Sequence, residues 1–242
     1  MINRTINHNT ISSTINPKVL KSFPQIKINH SLLGEIFTET RRSQSPSGYI
    51  VTLLKNKADE LLGKEVLALE DNTKNSVGFD INVTPKYRNR NLGLGELLRL
   101  SSIMMILENG VNEFEIYSKP EAIYFHSKYK FIPAIKSFAE RDQALNAIID
   151  NKDEKYEDLK IEASKILEET KTNSTPEEQR KLCITTNKLV EKYIKRVLEN
   201  KDNYKAHRFI YGMRMILKTE EILKNRHFFN SLFKKHNIDY KI

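Results

Sequence analysis

The stretch that most constrains how this chain folds is Val83-Thr-Pro-Lys-Tyr-Arg-Asn-Arg-Asn-Leu-Gly-Leu-Gly95, read with its flanks. A strand pattern, Ser76 to Val83, leads into it, and a helix pattern, Glu96 to Glu108, leads out. Arginines and two glycines therefore sit at a strand-to-helix turn. Such a turn aims several backbone N–H groups outward at a helix N-terminus, where they and the helix dipole favour an anion. Glycine lets the backbone approach that anion without a Cβ in the way. Arginine adds a forked, permanently charged donor. The physical reading is a cradle for a diphosphate.

The two commonest diphosphate motifs do not fit. A P-loop requires Gly-x-x-x-x-Gly-Lys-Ser/Thr, which is absent. A dinucleotide fold requires Gly-x-Gly-x-x-Gly directly after its strand. Here Leu98 stands in the third glycine slot, and a basic segment separates strand from glycines. Glu113 lies near the expected ribose-binding distance, but it opens a strand pattern rather than closing one.

The turn does resemble the acyl-coenzyme A loop of the GCN5-related N-acetyltransferase (GNAT) family, which reads Arg/Gln-x-x-Gly-x-Gly/Ala after the family's fourth strand. Arg90-Asn-Leu-Gly93-Leu-Gly95 matches in full. A second register, Arg88-Asn-Arg-Asn91-Leu-Gly93, also fits, because asparagine tolerates left-handed backbone. The family often writes Val-x-Pro-x-Tyr-Arg before this loop, and the chain has Val83-Thr-Pro85-Lys-Tyr87-Arg88. A later family helix, Ala-Ile-x-Leu-Tyr-Glu-Lys-Leu-Gly-Phe, is similar to Ala122-Ile-Tyr-Phe-His-Ser-Lys-Tyr-Lys-Phe131. Three slots depart from the pattern: His126 stands for the tyrosine, Lys130 for the glycine, and Lys119 for an upstream asparagine. The resemblance covers residues 49–135.

It implies an α/β (α+β) fold of the acyl-CoA N-acyltransferase type: a mixed, mostly antiparallel twisted sheet with flanking helices. Here it carries a helical insertion and a C-terminal helix. The implied organisation is a poorly ordered segment over residues 1–22, an acetyltransferase-like core over 23–136, the insertion over 137–203, and a returning strand and helix over 204–242. The meander reads as strands at Tyr49 to Lys55, Glu65 to Glu70 and Ser76 to Val83, with a turn over Asp71 to Asn75. Ile26 to Arg41 reads as a strand with a turn or short helix. The helix from Leu94 places Leu97, Leu98, Ser101, Met104 and Met105 on one face. Helix patterns then run from Phe138 to Asp150, Asp153 to Thr170 and Ser174 to about Asn200. Arg208 to Leu217 has strand character, and Thr219 to His236 reads as one terminal amphipathic helix.

Composition narrows the chemistry. No run of 18 apolar residues marks a membrane span, and the N-terminus lacks the apolar core of a secretory signal, so a cytoplasmic location is expected. A single cysteine, Cys183, excludes an intramolecular disulfide, and the six histidines include no His-x-x-x-His pair, so no metal site is expected. The net charge is +9, concentrated at the two ends, while residues 51–136 are close to neutral. Nucleic-acid binding through basic termini is therefore disfavoured, since no aromatic-basic RNA module is present. A homodimer stays open.

The resemblance implies acetyl-coenzyme A as co-substrate and direct transfer, in a ternary complex, to a primary amine of a small molecule, a protein or an aminoacyl-tRNA. Pantetheine would pair with strand backbone around Ile81 to Val83. The pyrophosphate would lie on Asn91, Leu92, Gly93, Leu94 and Gly95, with Arg88 and Arg90 facing it. A β-bulge on the strand would offer a backbone N–H to the thioester oxygen. Asp80, three residues before Val83, occupies a place where the family's base can occur. His126 takes the slot of the tyrosine that often protonates the departing thiolate. The alternative is a non-catalytic interaction or regulatory protein that keeps the fold and works through the insertion.

Overall fold

In the computed structural model, the residues described are 23–43, 49–70, 75–88, 90–169, 175–200 and 207–242. The N-terminal segment 1–22 and most of the turn at 71–75 lie outside them. Eight strands form one sheet: β1 (Lys27–His30), β2 (Gly34–Arg42), β3 (Ile50–Asn56), β4 (Leu61–Glu70), β5 (Asn75–Val83), β6 (Glu113–Ser118), β7 (Ile132–Pro133) and β8 (Met213–Lys218). Their order is β1-β2-β3-β4-β5-β6-β8-β7. Every pairing is antiparallel except β5 with β6. That one parallel pair needs a crossover, supplied by helix α1 (Leu94–Glu108). The mixed, mostly antiparallel sheet with flanking helices is the fold class expected from the sequence.

The region Ile26 to Arg41 is a hairpin: of the strand with a turn or short helix read from the sequence, the strand and the turn are present, and a second strand follows. Gly34 at φ +68° lets the chain reverse into β2, where Ile36 and Thr38 alternate inward. Thr38 Oγ1 accepts from the Ile26 amide at 2.8 Å and ties the hairpin's edge.

The expected single apolar face of α1 is also too narrow. Leu94, Leu97, Leu98, Leu100, Ile103, Met104, Met105 and Ile106 are all buried. The helix packs on β3, β4 and β5, and the C-terminal segment reaches it from elsewhere: Tyr240 donates to Glu108 and Lys235 pairs with Glu96. Gly63 on β4 permits the close seat on the sheet, since a Cβ there would stand 3.0 Å from Leu98 Cδ1 and 2.9 Å from the Asn82 carbonyl.

Past β6, a single 3-10 turn (Pro120–Ala122) opens the short helix α2 (Ile123–Lys128). Helices α3 (Phe138–Ile149), α4 (Glu157–Glu169) and α5 (Pro176–Glu199) then pack on one another, and α5 also reaches α2 and β7. Pro176 and the Thr175–Glu178 capping box start α5. The returning strand is shorter than expected, because residues 208–212 precede β8. It still inserts between β6 and β7, completing the sheet about eighty residues downstream of β7. The terminal helix is two helices, α6 (Thr219–Lys224) and α7 (Arg226–Lys235). Asn225 breaks it: its side-chain amide donates to the Glu221 carbonyl at 2.8 Å, competing with continued helix.

Candidate functional site

The site is built along β5, and two irregularities of that strand make it. The first is a bulge. Val66 pairs with Asp80 and Leu67 with Gly78, leaving Phe79 as an extra residue. The second is the early end of the pairing with β6, which runs only from Asn75–Glu113 to Gly78–Ile116. Beyond Gly78 the two strands part, so one edge of Asp80, Ile81, Asn82 and Val83 has no strand beside it. Gly78 sits at the fork because a Cβ there would come within 2.9 Å of the Phe114 ring and Ile116.

At the far end of β5 lies the basic turn. A 3-10 turn over Pro85–Tyr87 buries Tyr87 and swings the chain toward α1. Asn91 and Gly93 both adopt left-handed backbone, with φ of 53° and 68°. Gly93 is the N-cap of α1, and no side chain caps the helix. The amides of its first turn therefore face an open groove of about 520 Å³ lined by Val83, Arg88, Asn91 to Glu96, Phe125, Tyr129 and Lys235. The loop is held from behind. His30, the last residue of β1, donates through Nε2 to the Leu92 carbonyl at 3.0 Å.

The cradle also contains an acid. Glu96, in the first turn of α1, accepts from Tyr129 at 2.6 Å, from Lys235 at 2.6 Å and from His236. Burial alone would raise its pKa, but the hydrogen bonds from His236, Lys235 and Tyr129 outweigh that and hold it at about 2. Burial and the neighbouring Glu96 carboxylate push the Tyr129 phenol well above its usual range, so it stays protonated.

At the fork, beneath the bulge, lies a narrow slot of about 40 Å³ bordered by Glu65, Gly78, Asp80, Arg99, Tyr117 and His126. Asp80 stands at its mouth, half-buried and 3.9 Å from Lys64. Arg99 and Glu65 lie at the floor, each 2% exposed and 3.4 Å apart. Arg99 also donates to Ser102 at 3.3 Å and to His126 Nδ1 at 3.2 Å, and its guanidinium lies over the rings of Phe131 and Phe114. Burial, only partly offset by Arg99, raises the Glu65 pKa to about 7. Burial, then the Arg99 charge, drives the His126 pKa down to about 2.

The sequence-derived candidates thus fall into two groups, one at the slot beside the bulge of β5 and one along the end of β5 and the turn that follows it. Arg88 and the Asn91–Gly95 backbone line the cradle, with Ile81 and Val83 on the unpaired edge leading to it. Arg88 folds back, donating to the Val83 carbonyl at 2.8 Å and to Asn82. Arg90 lies outside the groove lining, with its guanidinium 6.0 Å from the ring of Tyr87, which is buried and borders the groove. Asp80 and His126 meet at the slot. His126 is buried, and because arginine can only donate, its Nδ1 accepts and its Nε2 carries the proton. Glu65, Arg99, Tyr129, Lys235 and His30 were not singled out in the sequence. Each is distant in sequence from the motif residues it meets or lies in an otherwise ordinary strand or helix, so no local pattern flags it. Among the described residues there is no group of three or more metal-ligating side chains, and no helix is long and apolar enough to cross a membrane.

No protein-family model matches the chain, and no curated protein matches it. Several solved structures are similar to part of it. An acetyltransferase of the GNAT family from Staphylococcus aureus MU50 shares 26% identity, aligning 37% of this chain with 57% of that one at a TM-score of 0.33. A GNAT family acetyltransferase from Elizabethkingia anophelis with acetyl-CoA bound shares 17% identity over 41% of this chain and 78% of its own, with a TM-score of 0.36. The PaiA N-acetyltransferase from Thermoplasma acidophilum in complex with coenzyme A shares 15% identity over 37% and 55%, with a TM-score of 0.31. The match therefore spans little more than half the length of the Staphylococcus structure.

Proposed function

We propose that this chain is an acetyl-coenzyme A-dependent N-acetyltransferase that acts by direct transfer to a primary amine. One observation carries the reading: the bulge at Phe79, the unpaired edge of Ile81 to Val83 and the uncapped N-terminus of α1 follow one another along a single strand-to-helix unit. A thioester substrate with a long amide-bearing arm and a diphosphate needs that sequence of features. The co-substrate supplies an activated acyl group; the chain supplies placement and proton handling.

The residues present fit such a group. The α1 amides and Arg88 offer donors to a diphosphate, and Arg90 adds positive charge nearby. Glu96 does not spoil the cradle, because Tyr129, Lys235 and His236 already hold its charge. The edge of Ile81 to Val83 turned away from β4 has no strand beside it and can pair with amides of the arm, the Val83 carbonyl already accepting from Arg88. The bulge turns one backbone N–H out of the β4–β5 ladder, where it can stabilise a developing oxyanion. Asp80, at the slot mouth, accepts the proton of the acceptor ammonium and frees its lone pair. His126 is a neutral Nε2–H donor; with Nδ1 occupied by Arg99 it orients and stabilises rather than taking a proton. The acceptor is a primary amine of a small molecule, a protein or an aminoacyl-tRNA, approaching from the Asp80 side, with the α3–α5 helices available as a docking surface.

Calorimetric titration with acetyl-coenzyme A, beside an Arg90→Ala/Gly95→Trp variant, tests this. A Cβ at Gly95 meets the Phe125 ring only at ordinary contact, 3.6 Å, so the indole fills the groove rather than the core. Micromolar binding by the wild type that disappears in the variant is expected. A folded wild type that binds no acetyl-coenzyme A sinks the reading and leaves an interaction protein built around the helical insertion.

A further inference from the structure

The floor of the slot contains charges that the fold does not need. Glu65 and Arg99 are each 2% exposed, and a buried ion pair generally contributes no more stability than apolar side chains of the same size. The pair is also incompletely satisfied. Glu65 Oε2 and Arg99 Nε have no hydrogen-bond partner among the described residues. An unsatisfied buried polar atom is costly, so an arrangement that retains two of them calls for an explanation. Both residues border the slot, whose other polar walls are Asp80, Tyr117 and His126. A water site needs roughly 10–15 Å³ and two to four polar partners; at about 40 Å³ the slot has room for more than one.

We propose that water in this slot joins Asp80 to Glu65, and that Glu65 is the second station for the proton released by the acceptor amine. The inference rests on the acetyltransferase reading. The steps balance. The acceptor ammonium N–H breaks and an Asp80 O–H forms, leaving the amine neutral to attack. Slot water takes the Asp80 proton while giving one of its own to Glu65 Oε2, which restores the Asp80 carboxylate. The proton returns to solvent by the same route after product leaves.

The groups facing Glu65 suit that task. From α1, Arg99 and Ser102 face it; from α2, His126. From β5 comes Asp80, paired outward with Lys64, and from β6, Tyr117. Arg99 is the one fixed cation at the floor among the described residues, and burial together with its charge keeps His126 neutral, with Nδ1 accepting from it. Glu65 is thus left as the group whose protonation changes near neutrality, at a pKa of about 7. A proton acceptor works best when its pKa lies near the operating pH.

The test compares wild type with Glu65→Gln, which preserves size and removes proton affinity. Acetyl-coenzyme A binding is measured by calorimetry, and thiol release is followed against pH with a lysine-containing peptide and a panel of small amines as acceptors. The expected result is unchanged binding, a fall in kcat of roughly 10²-fold, and loss of the near-neutral ionisation from the pH profile. Glu65→Gln removes the charge that Arg99 pairs with, so Glu65→Gln/Arg99→Met is run beside it with the same expectation, which separates loss of the relay from loss of the fold. Infrared difference spectra of the wild type supply a second readout: a protonated carboxyl band that titrates near pH 7 and vanishes in the Gln variants. Intact binding with kcat and pH profile like the wild type overturns the relay and leaves the acetyltransferase reading standing. So does a Glu65 that stays ionised across neutrality. Failure of the wild type to bind acetyl-coenzyme A, or to acetylate any of these acceptors, overturns both.

Discussion

The two ends of β5 solve opposite problems with the same residue type. At the cradle, Glu96 has three donors, from Tyr129, Lys235 and His236, and is ionised down to about pH 2. At the slot, Glu65 has a single cationic neighbour at 3.4 Å, an unsatisfied oxygen and a pKa of about 7. One carboxylate is tied down as structure; the other is left free to change charge. Burial pushes both upward, and the number of donors decides the outcome. The cradle presents backbone amides at an uncapped helix start, whereas the slot is bordered by side chains that β4, β5, β6, α1 and α2 bring together.

That contrast predicts where substitutions hurt most. Arg99→Ala strands a buried carboxylate and removes a side chain stacked on Phe131 and Phe114. It should lower unfolding free energy by about 3–5 kcal/mol, read as a drop in urea midpoint at unchanged slope. Glu65→Leu/Arg99→Met should recover most of that loss, since the pair costs more to break than to replace. If the double variant is as unstable as the single one, packing rather than charge holds the floor together, and the contrast with the cradle collapses.

Gly95→Trp should do the reverse. Acetyl-coenzyme A binding should weaken at least ~100-fold, about 2.7 kcal/mol, with the unfolding midpoint nearly unchanged, because the added ring projects into an open groove. A large stability loss would show that the turn is packed as tightly as the slot.

Proton linkage separates the two acids by sign. The Glu96 pKa is depressed in the folded state, so its contribution is present above the unfolded value of 4.5 and is lost as pH falls from there through about 2. Because the group is partly open to solvent, a contribution of about 1–2 kcal/mol is expected after allowing for screening. The Glu65 pKa is raised, so its contribution is present below 4.5 and is lost as pH rises through about 7. Denaturant titrations at fixed pH should show Glu96→Gln flattening the acid side of the stability profile, and Glu65→Gln flattening the stretch between about pH 4.5 and 7. Both variants acting on the same limb would break the distinction.

The same contrast explains what the sequence reveals. The cradle is contiguous: strand, Arg-rich turn, Gly93, Gly95 and helix fall within thirty-odd residues, and each carries a local signal. The helix start at Ser174 to Glu178 and the strand character within Arg208 to Leu217 are legible for the same reason. The slot unites residues 65, 80, 99 and 126. Glu65 looks like an ordinary strand acid and Arg99 like a solvated helix cation, because nothing in a 3.6-residue or two-residue period says that both faces of α1 are covered. The C-terminal segment that reaches it does so across sequence separations of 132 to 140 residues. The break at Asn225 escaped notice because asparagine interrupts a helix only when its side chain finds the backbone, as it does here.

The smallest expected effect lies where cradle and C-terminal segment meet. Lys235 is largely exposed, lines the groove, and pairs with Glu96 at 2.6 Å. If Glu96 is structural, Lys235 is only partly consumed by it, since His236 and Tyr129 also satisfy that carboxylate. The ammonium then remains available to a diphosphate on the α1 amides. Lys235→Ala should weaken acetyl-coenzyme A binding a few-fold, on the order of 0.5–1 kcal/mol, as exposed charge pairs do. The deficit should shrink at high salt, where the Debye length falls to about 3 Å at 1 M. A fragment without phosphates discriminates further: pantetheine, which lacks the diphosphate, should bind wild type and variant alike. A Lys235→Ala defect that persists with pantetheine would mean that Lys235 acts by holding Glu96 and the helix terminus in place, which would move it from the ligand's side of the cradle to the fold's.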